Sequence, residues 1–412
     1  MNIKERFLKY VSFDTQSDPQ STTTPSSKNQ LILAEYLKDE LMSLGVPHVE
    51  LDSSGIVYAT IPSNNGNKGD IIGLIAHMDT SPDASGKDIQ TQIIEDYQGN
   101  PIVLNQDKKL VLDPQEFPDL SDLIHHTLIT TDGTTLLGAD DKAGVAIIVQ
   151  VAQYILQHPE FKHNDIQIAF TPDEEVGRGT DCFNVQKFHA DYAYTIDGGN
   201  IAELEYENFN AFSAIVKVHG RSIHPGYAKN KMINSLRVAY EFDNLLPVHE
   251  RPESTSDYEG FSHLHDLNGN CEETVMEYII RNHDLDLAKK QCQNFKDIAE
   301  FLNKKYGYTI IEVEIEESYL NMKEHMLNHM YIIDYAKQAL SDCGIEPRTI
   351  PIRGGTDGAR LTYMGLPCPN LGTGGYNCHG PYEFVSLTMM EKQVEVLLKL
   401  ISNNVKEKQD EY

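Results

Sequence analysis

An α/β sheet flanked by helices, interrupted by a smaller inserted α+β domain, is the architecture this sequence predicts. Three observations carry it. Short β-type runs at 57–61, 70–76, 166–170 and 192–196 are interspersed with helical stretches at 29–44 and 145–156, the order of a layered α/β domain. Several of those runs break into loops that begin with carboxylates or a histidine, and open α/β sheets place their ligand crevice at the carboxyl ends of strands. From about Phe209 the text changes to strand, helix, strand, helix, strand through Glu316, the pattern of a small α+β sandwich.

Taken in order, a Ser- and Thr-rich segment, 16–30, follows a first helix and reads as a mobile or substrate-flanking loop. The helix 29–44 stops at Gly45, a C-cap residue. The apolar run 71–76 reads as a buried strand ending in His77-Met78-Asp79. Side chains alternate along a strand, so His77 and Asp79 leave the same face. Imidazole and carboxylate are standard partners of zinc, although two such residues alone are a weak signal. The segment 83–128, rich in Asp, Gln and Pro, reads as an irregular excursion.

Three further clusters strengthen the signal. Gly138-Ala139-Asp140-Asp141-Lys142 precedes the helical stretch 145–156. The strand 166–170 runs into Thr171-Pro172-Asp173-Glu174-Glu175-Val176-Gly177, and the strand 192–196 ends in Asp197-Gly198-Gly199. Far downstream, His379 lies in the loop Gly374 to Pro381. An Asp before a helix is commonly a cap or turn acid. Repetition at three sites, with two histidines, points instead to metal. With His77 and His379, the acids of these clusters offer more candidate ligands than the three protein ligands of a usual single catalytic zinc. The set skips 208–323, because Asp197 precedes that block and His379 follows it. The block is therefore expected as an insertion, with 1–207 and 324–412 forming the metal-binding domain.

Composition excludes other classes. The 412 residues are 40% hydrophobic, enough for real cores, and contain no apolar run long enough to span a bilayer. The amino terminus lacks a signal-peptide core, and six cysteines without CxxC spacing suggest reduced thiols; a cytoplasmic location is expected. A net charge of −28 argues against nucleic acid or an anionic membrane as partner.

As a set, His77-Met78-Asp79, Gly138 to Lys142, Asp173 to Gly177, Thr195 to Gly198 and Cys378-His379-Gly380 resemble the co-catalytic di-zinc peptidases and amidohydrolases related to carboxypeptidase G2. The likeness runs from Phe7 through His379. Flanking text, such as 170–179 and 258–261, is most similar to the tripeptide aminopeptidases among them. The resemblance implies a zinc-peptidase-like catalytic domain, with 208–323 as a lid, and two Zn2+ per chain, Co2+ or Mn2+ being possible substitutes. It assigns Asp140 as the bridge, His77 and Asp197 to one ion, His379 and Glu175 to the other, and a cis Asp140–Asp141 peptide. It gives His224 the role of stabilising the oxyanion. Glu174, beside a ligand but diverging from it, is expected to be the general base. Asp79 is expected to accept the other ring N–H of His77. Arg353, in a Gly-rich turn, and Arg281, at a strand end, are candidate anchors for a substrate carboxylate.

The resulting expectation is an aminopeptidase acting on short peptides, tripeptides above all. A dipeptidase, carboxypeptidase or N-acyl amino acid amidohydrolase on the same scaffold is the alternative enzyme. A silent metal- or peptide-binding protein is the alternative from another class, and Glu174 alongside all five ligands speaks against it. Side-chain preference and oligomeric state are left open.

Overall fold

The computed structural model describes residues 1–66 and 69–405. The chain packs as two compact units: 1–206 with 325–350 and 356–412, and 207–324 with 351–355.

The first unit is built on a mixed eight-stranded sheet. Its strand order is His48–Leu51, Val57–Ile61, Ile166–Thr171, Ile72–His77, Tyr192–Ile196, Asn370–Leu371, Glu203–Glu205, Arg348–Thr349. The central three strands are parallel, with Ile72 level with both Ile166 and Tyr192, and His77 level with Thr171. Every residue of these three strands is buried, which fits their mostly apolar text, broken only at Gln167, Thr171, Thr195 and the terminal His77. Because they run the same way, their carboxyl ends open on one edge, and the acidic motifs collect there. The helix Ala139–Gln157 packs on the central strand. Gly144 is what lets it lie so close: a Cβ there would collide with the Ile196 carbonyl.

Two readings of this unit are corrected. The excursion 83–128 is not irregular throughout. It holds strands Thr91–Ile94, Ile102–Asn105 and Leu110–Leu112, the first joining a four-stranded sheet with Leu128–Thr131, Phe384–Ser386 and Gly375–Tyr376. The segment 16–30 is tied down: the buried Asp173 carboxylate accepts the Ser26 amide and hydroxyl, and Gln30 Nε2 at 2.7 Å.

The second unit is a four-stranded antiparallel sheet in the order Phe261–Gly269, Glu273–Asn282, Asn210–His219, Ile311–Tyr319. Alternate residues of Glu273–Asn282 are buried against the helices Ser235–Leu245 and Leu285–Tyr306, with Phe242, Tyr278 and Phe295 at the centre. The strand Phe261–Gly269 was absent from the sequence reading. It is an edge strand, mostly exposed, and its polar residues carry no alternation to detect. Among the described residues no helix is long and apolar enough to cross a membrane.

Candidate active site

Three strand ends of the large sheet, one helix start and one loop of the four-stranded sheet bring the predicted ligands together. His77 is the last residue of the central strand. Glu174 and Glu175 open a single 3-10 turn just beyond Thr171, and Asp197 directly follows Ile196. Asp140 lies at the start of the helix Ala139–Gln157, where its own backbone and that of Asp141 are non-helical and the peptide between them is cis. His379 comes from the loop between Gly375–Tyr376 and Phe384–Ser386, in the left-handed region with φ 69°.

Asp140 stands at the centre. Its Oδ1 lies 2.9 Å from His77 Nε2, and its Oδ2 lies 3.3 Å from His379 Nε2. Each oxygen thus faces a different imidazole. Asp197 Oδ2 flanks His77 Nε2 at 3.9 Å, and Glu175 Oε2 flanks His379 Nε2 at 3.0 Å. Each histidine also has a carboxylate 3.4 Å from its Nδ1, Asp79 for His77 and Asp83 for His379. That contact is long for a hydrogen bond on His77, whose Nδ1 finds no well-aligned acceptor.

Asp79 does more than face His77. Its Oδ1 accepts the Glu174 amide at 3.0 Å and its Oδ2 accepts the Glu175 amide at 3.2 Å. The fully buried Asp141 is engaged by the backbone: its carboxylate accepts the His77 and Gly144 amides, each at 3.2 Å. His77, Asp141 and Asp197 also lie close enough to form a ligand group, as do His77, Asp140 and Glu175. The first grouping is the weaker, because both oxygens of Asp141 are already engaged by backbone amides.

The electrostatics call for added positive charge. Burial, then the Asp140 carboxylate, push Asp197 up to about 8 and Glu175 up to about 7. Burial likewise holds Glu174 well above the usual carboxylate range. Hydrogen bonds to Asp140 and Glu175 raise His379 to about 11. On His77 burial opposes charge, and the neighbouring carboxylates, Asp140 first, outweigh it, so the imidazole is also raised. Asp140, flanked by both histidines, is held below its ordinary value in spite of burial. Three crowded acids drawing protons onto themselves and onto two imidazoles fit a divalent-cation site. Glu175 Oε1, buried without a hydrogen-bond partner, fits the same role.

The other predicted residues lie in the second unit. His224 is exposed, and its Nδ1 accepts the Gly226 amide at 3.1 Å. Arg281 Nη1 donates to the Ile280 and Phe212 carbonyls at 3.1 and 3.3 Å, and its guanidinium lies over the Tyr319 ring. Arg353 donates to the Asp257 and Glu259 carbonyls and to Thr255 Oγ1, and stacks on Phe209 and Phe261. Among the described residues neither arginine forms an ion pair.

Four acids carry no predicted role and yet shape the site: Asp83, Asp173, Asp357 and Glu383. Asp173 anchors the turn bearing Glu174 to the segment 26–30. The buried Asp357 accepts the Thr171 hydroxyl at 2.8 Å. Of these, Asp173 had a signal in sequence, since it directly precedes Glu174.

Residues 127–403 match the model of peptidase family M20/M25/M40. The chain is 54% identical over 399 residues to the peptidase T of Caldanaerobacter subterraneus subsp. tengcongensis, covering 97% of this chain and 98% of that one. The fold is similar to a tripeptidase from Staphylococcus aureus, with a TM-score of 0.76 at 22% identity over 98% of this chain and 97% of the other. It is also similar to a dinuclear metal-binding peptidase from Bacillus subtilis, with a TM-score of 0.64 at 12% identity over 98% of both chains.

Proposed function

The chain belongs to peptidase family M20/M25/M40, and we propose that it is a metal-dependent aminopeptidase that removes the amino-terminal residue of tripeptides. One observation carries the reading: the two oxygens of Asp140 face the Nε2 atoms of two different histidines, each flanked by a further carboxylate. His77, Asp140 and Asp197 would hold one divalent cation, and His379, Asp140 and Glu175 a second, with Asp140 shared. The mixed nitrogen and oxygen donors suit zinc, with cobalt or manganese as substitutes. Such a pair of ions supplies Lewis acidity toward the scissile carbonyl and lowers the pKa of bound water.

The chain's own residues do the rest. Glu174 takes a proton from the attacking water as its oxygen bonds to the carbonyl carbon, and returns that proton to the amine as the C–N bond breaks. Asp79 fixes Glu174 and Glu175 through their amides and keeps His77 in place. The bond from Gly226 makes His224 Nδ1 an acceptor, so the proton of the neutral ring sits on Nε2, available to a developing oxyanion. Arg353 and Arg281 are the anchors for the peptide carboxylate. Their protein partners are neutral, which leaves each guanidinium charge uncompensated. The six unpaired thiols fit a reducing, cytoplasmic setting.

Release of free amino acid from a tripeptide, a dipeptide and an N-acetyl amino acid, with and without chelator, tests the reading. Chelator-sensitive cleavage of the tripeptide ahead of the other two is expected, with about two metal ions per chain. Preference for the N-acetyl substrate would overturn it.

A further inference from the structure

We infer that Glu383 is a positioning residue for Asp140, an inference that rests on the metallopeptidase reading above. Glu383 is 1% exposed and forms no ion pair among the described residues. Its carboxylate is instead filled by four successive backbone amides. Oε2 accepts Leu137 N at 2.7 Å and Gly138 N at 2.9 Å; Oε1 accepts Ala139 N at 2.7 Å and Asp140 N at 3.2 Å. A buried carboxylate without a cation is costly unless its acceptor positions are occupied. Here four amides occupy them, and the last belongs to the residue whose side chain stands between the two histidines.

The other end of Glu383 leads to His379. Three residues lie between them in sequence, and the Glu383 amide donates to the Gly380 carbonyl at 3.1 Å, closing the loop. One side chain therefore joins the loop that carries His379 to the segment that carries Asp140. The two side chains so joined meet at 3.3 Å, His379 Nε2 to Asp140 Oδ2. Among the described residues Glu383 bonds to neither histidine. It sets the spacing of the donors His379 and Asp140, and so the affinity of the ion they hold.

The test is zinc affinity, measured by competition with a chromophoric chelator, beside the melting temperature of the metal-free protein. Wild type, E383Q and E383D are compared. Glutamine keeps one acceptor oxygen and turns an NH2 toward amides that need an acceptor. E383D keeps both oxygens on a shorter arm. In E383Q the affinity for one of the two ions should fall roughly 10- to 100-fold, the usual loss for a group that orients ligands. Its kcat at saturating zinc should drop while KM for a tripeptide holds, and E383D should lie between. Wild-type affinity for both ions in folded E383Q overturns the inference, as does a lower metal-free melting temperature with unaltered affinity. Should E383Q not fold, unaltered zinc affinity in E383D overturns it and a reduced one sustains it. A wild-type chain that binds no zinc overturns the metallopeptidase reading as well, which separates the two failures.

Discussion

Asp79 holds Glu174 by its backbone, accepting the Glu174 amide at 3.0 Å while its own carboxylate stays fully buried. The same carboxylate takes the Glu175 amide and lies beside His77 Nδ1. Asp79→Ala leaves two amides without their acceptor and His77 Nδ1 without the carboxylate beside it. Tripeptide cleavage should fall about 10- to 100-fold, and each orphaned amide should cost about 1–3 kcal/mol of stability. Steady-state kinetics and thermal melts check both. Kinetics within twofold of wild type would remove Asp79 from the proposed machinery.

Glu174 and Glu175 are neighbours, but only Glu175 has a carboxylate oxygen beside His379, at 3.0 Å. Glu174→Gln should retain both metals and lose roughly 10²-fold or more in kcat, the loss of a general base. Glu175→Ala should lose one metal equivalent. Metal analysis after desalting, paired with kcat, distinguishes them. Near-normal turnover in E174Q would move the proton-transfer role to another group.

Arg353 carries a charge that no carboxylate answers among the described residues, and its partners come from 255–259. Arg353→Ala should weaken cleavage of a free-acid tripeptide far more than that of its carboxyl-terminal amide. The readout is kcat/KM for both substrates with both proteins. Equal losses would mean that Arg353 braces its loop and does not read the carboxylate, and Arg281 would be the next to vary.

Glu205, which is not itself a proposed ligand, supplies a pH prediction. It takes Asn370 Nδ2 at 2.7 Å, and burial raises it from 4.5 to about 7. Because the folded value is raised, the neutral acid is favoured in the native state. Stability is full below the unfolded value and is lost as pH rises toward the folded one. Glu205→Gln keeps the acceptor and removes the charge. Metal-free E205Q should gain on metal-free wild type between pH 5 and pH 8, by no more than about 3 kcal/mol. Parallel melts at the two pH values decide it; a gain that does not change with pH rules out the charge as the cause.

The ligand-bearing elements could be read because each acid or histidine sits within a few residues of a strand end or a helix start, and the strands are mostly apolar. The adjacency that makes the chemistry also makes the pattern. Glu383 could not be read this way. Its four partners are backbone amides more than 240 residues earlier, and an amide leaves no mark on residue type. Ser26 and Gln30 escaped for a similar reason, since Asp173, which binds them, is more than 140 residues on. The short strands within 83–128 pair with neighbours of three or four residues, too few to establish a period of two.

The large sheet has a consequence for the order in which the chain is made. Its strand Asn370–Leu371 lies between Tyr192–Ile196 and Glu203–Glu205, two elements synthesised far earlier. Asp197 is seated by a hydrogen bond from its own amide to the Leu371 carbonyl, and His379 follows a few residues on. A nascent chain on the ribosome thus carries an unfilled gap in its main sheet until those late residues emerge. The capacity to cut peptides arrives only once residues 370–379 have emerged, so a chain that stops short of them has no working centre.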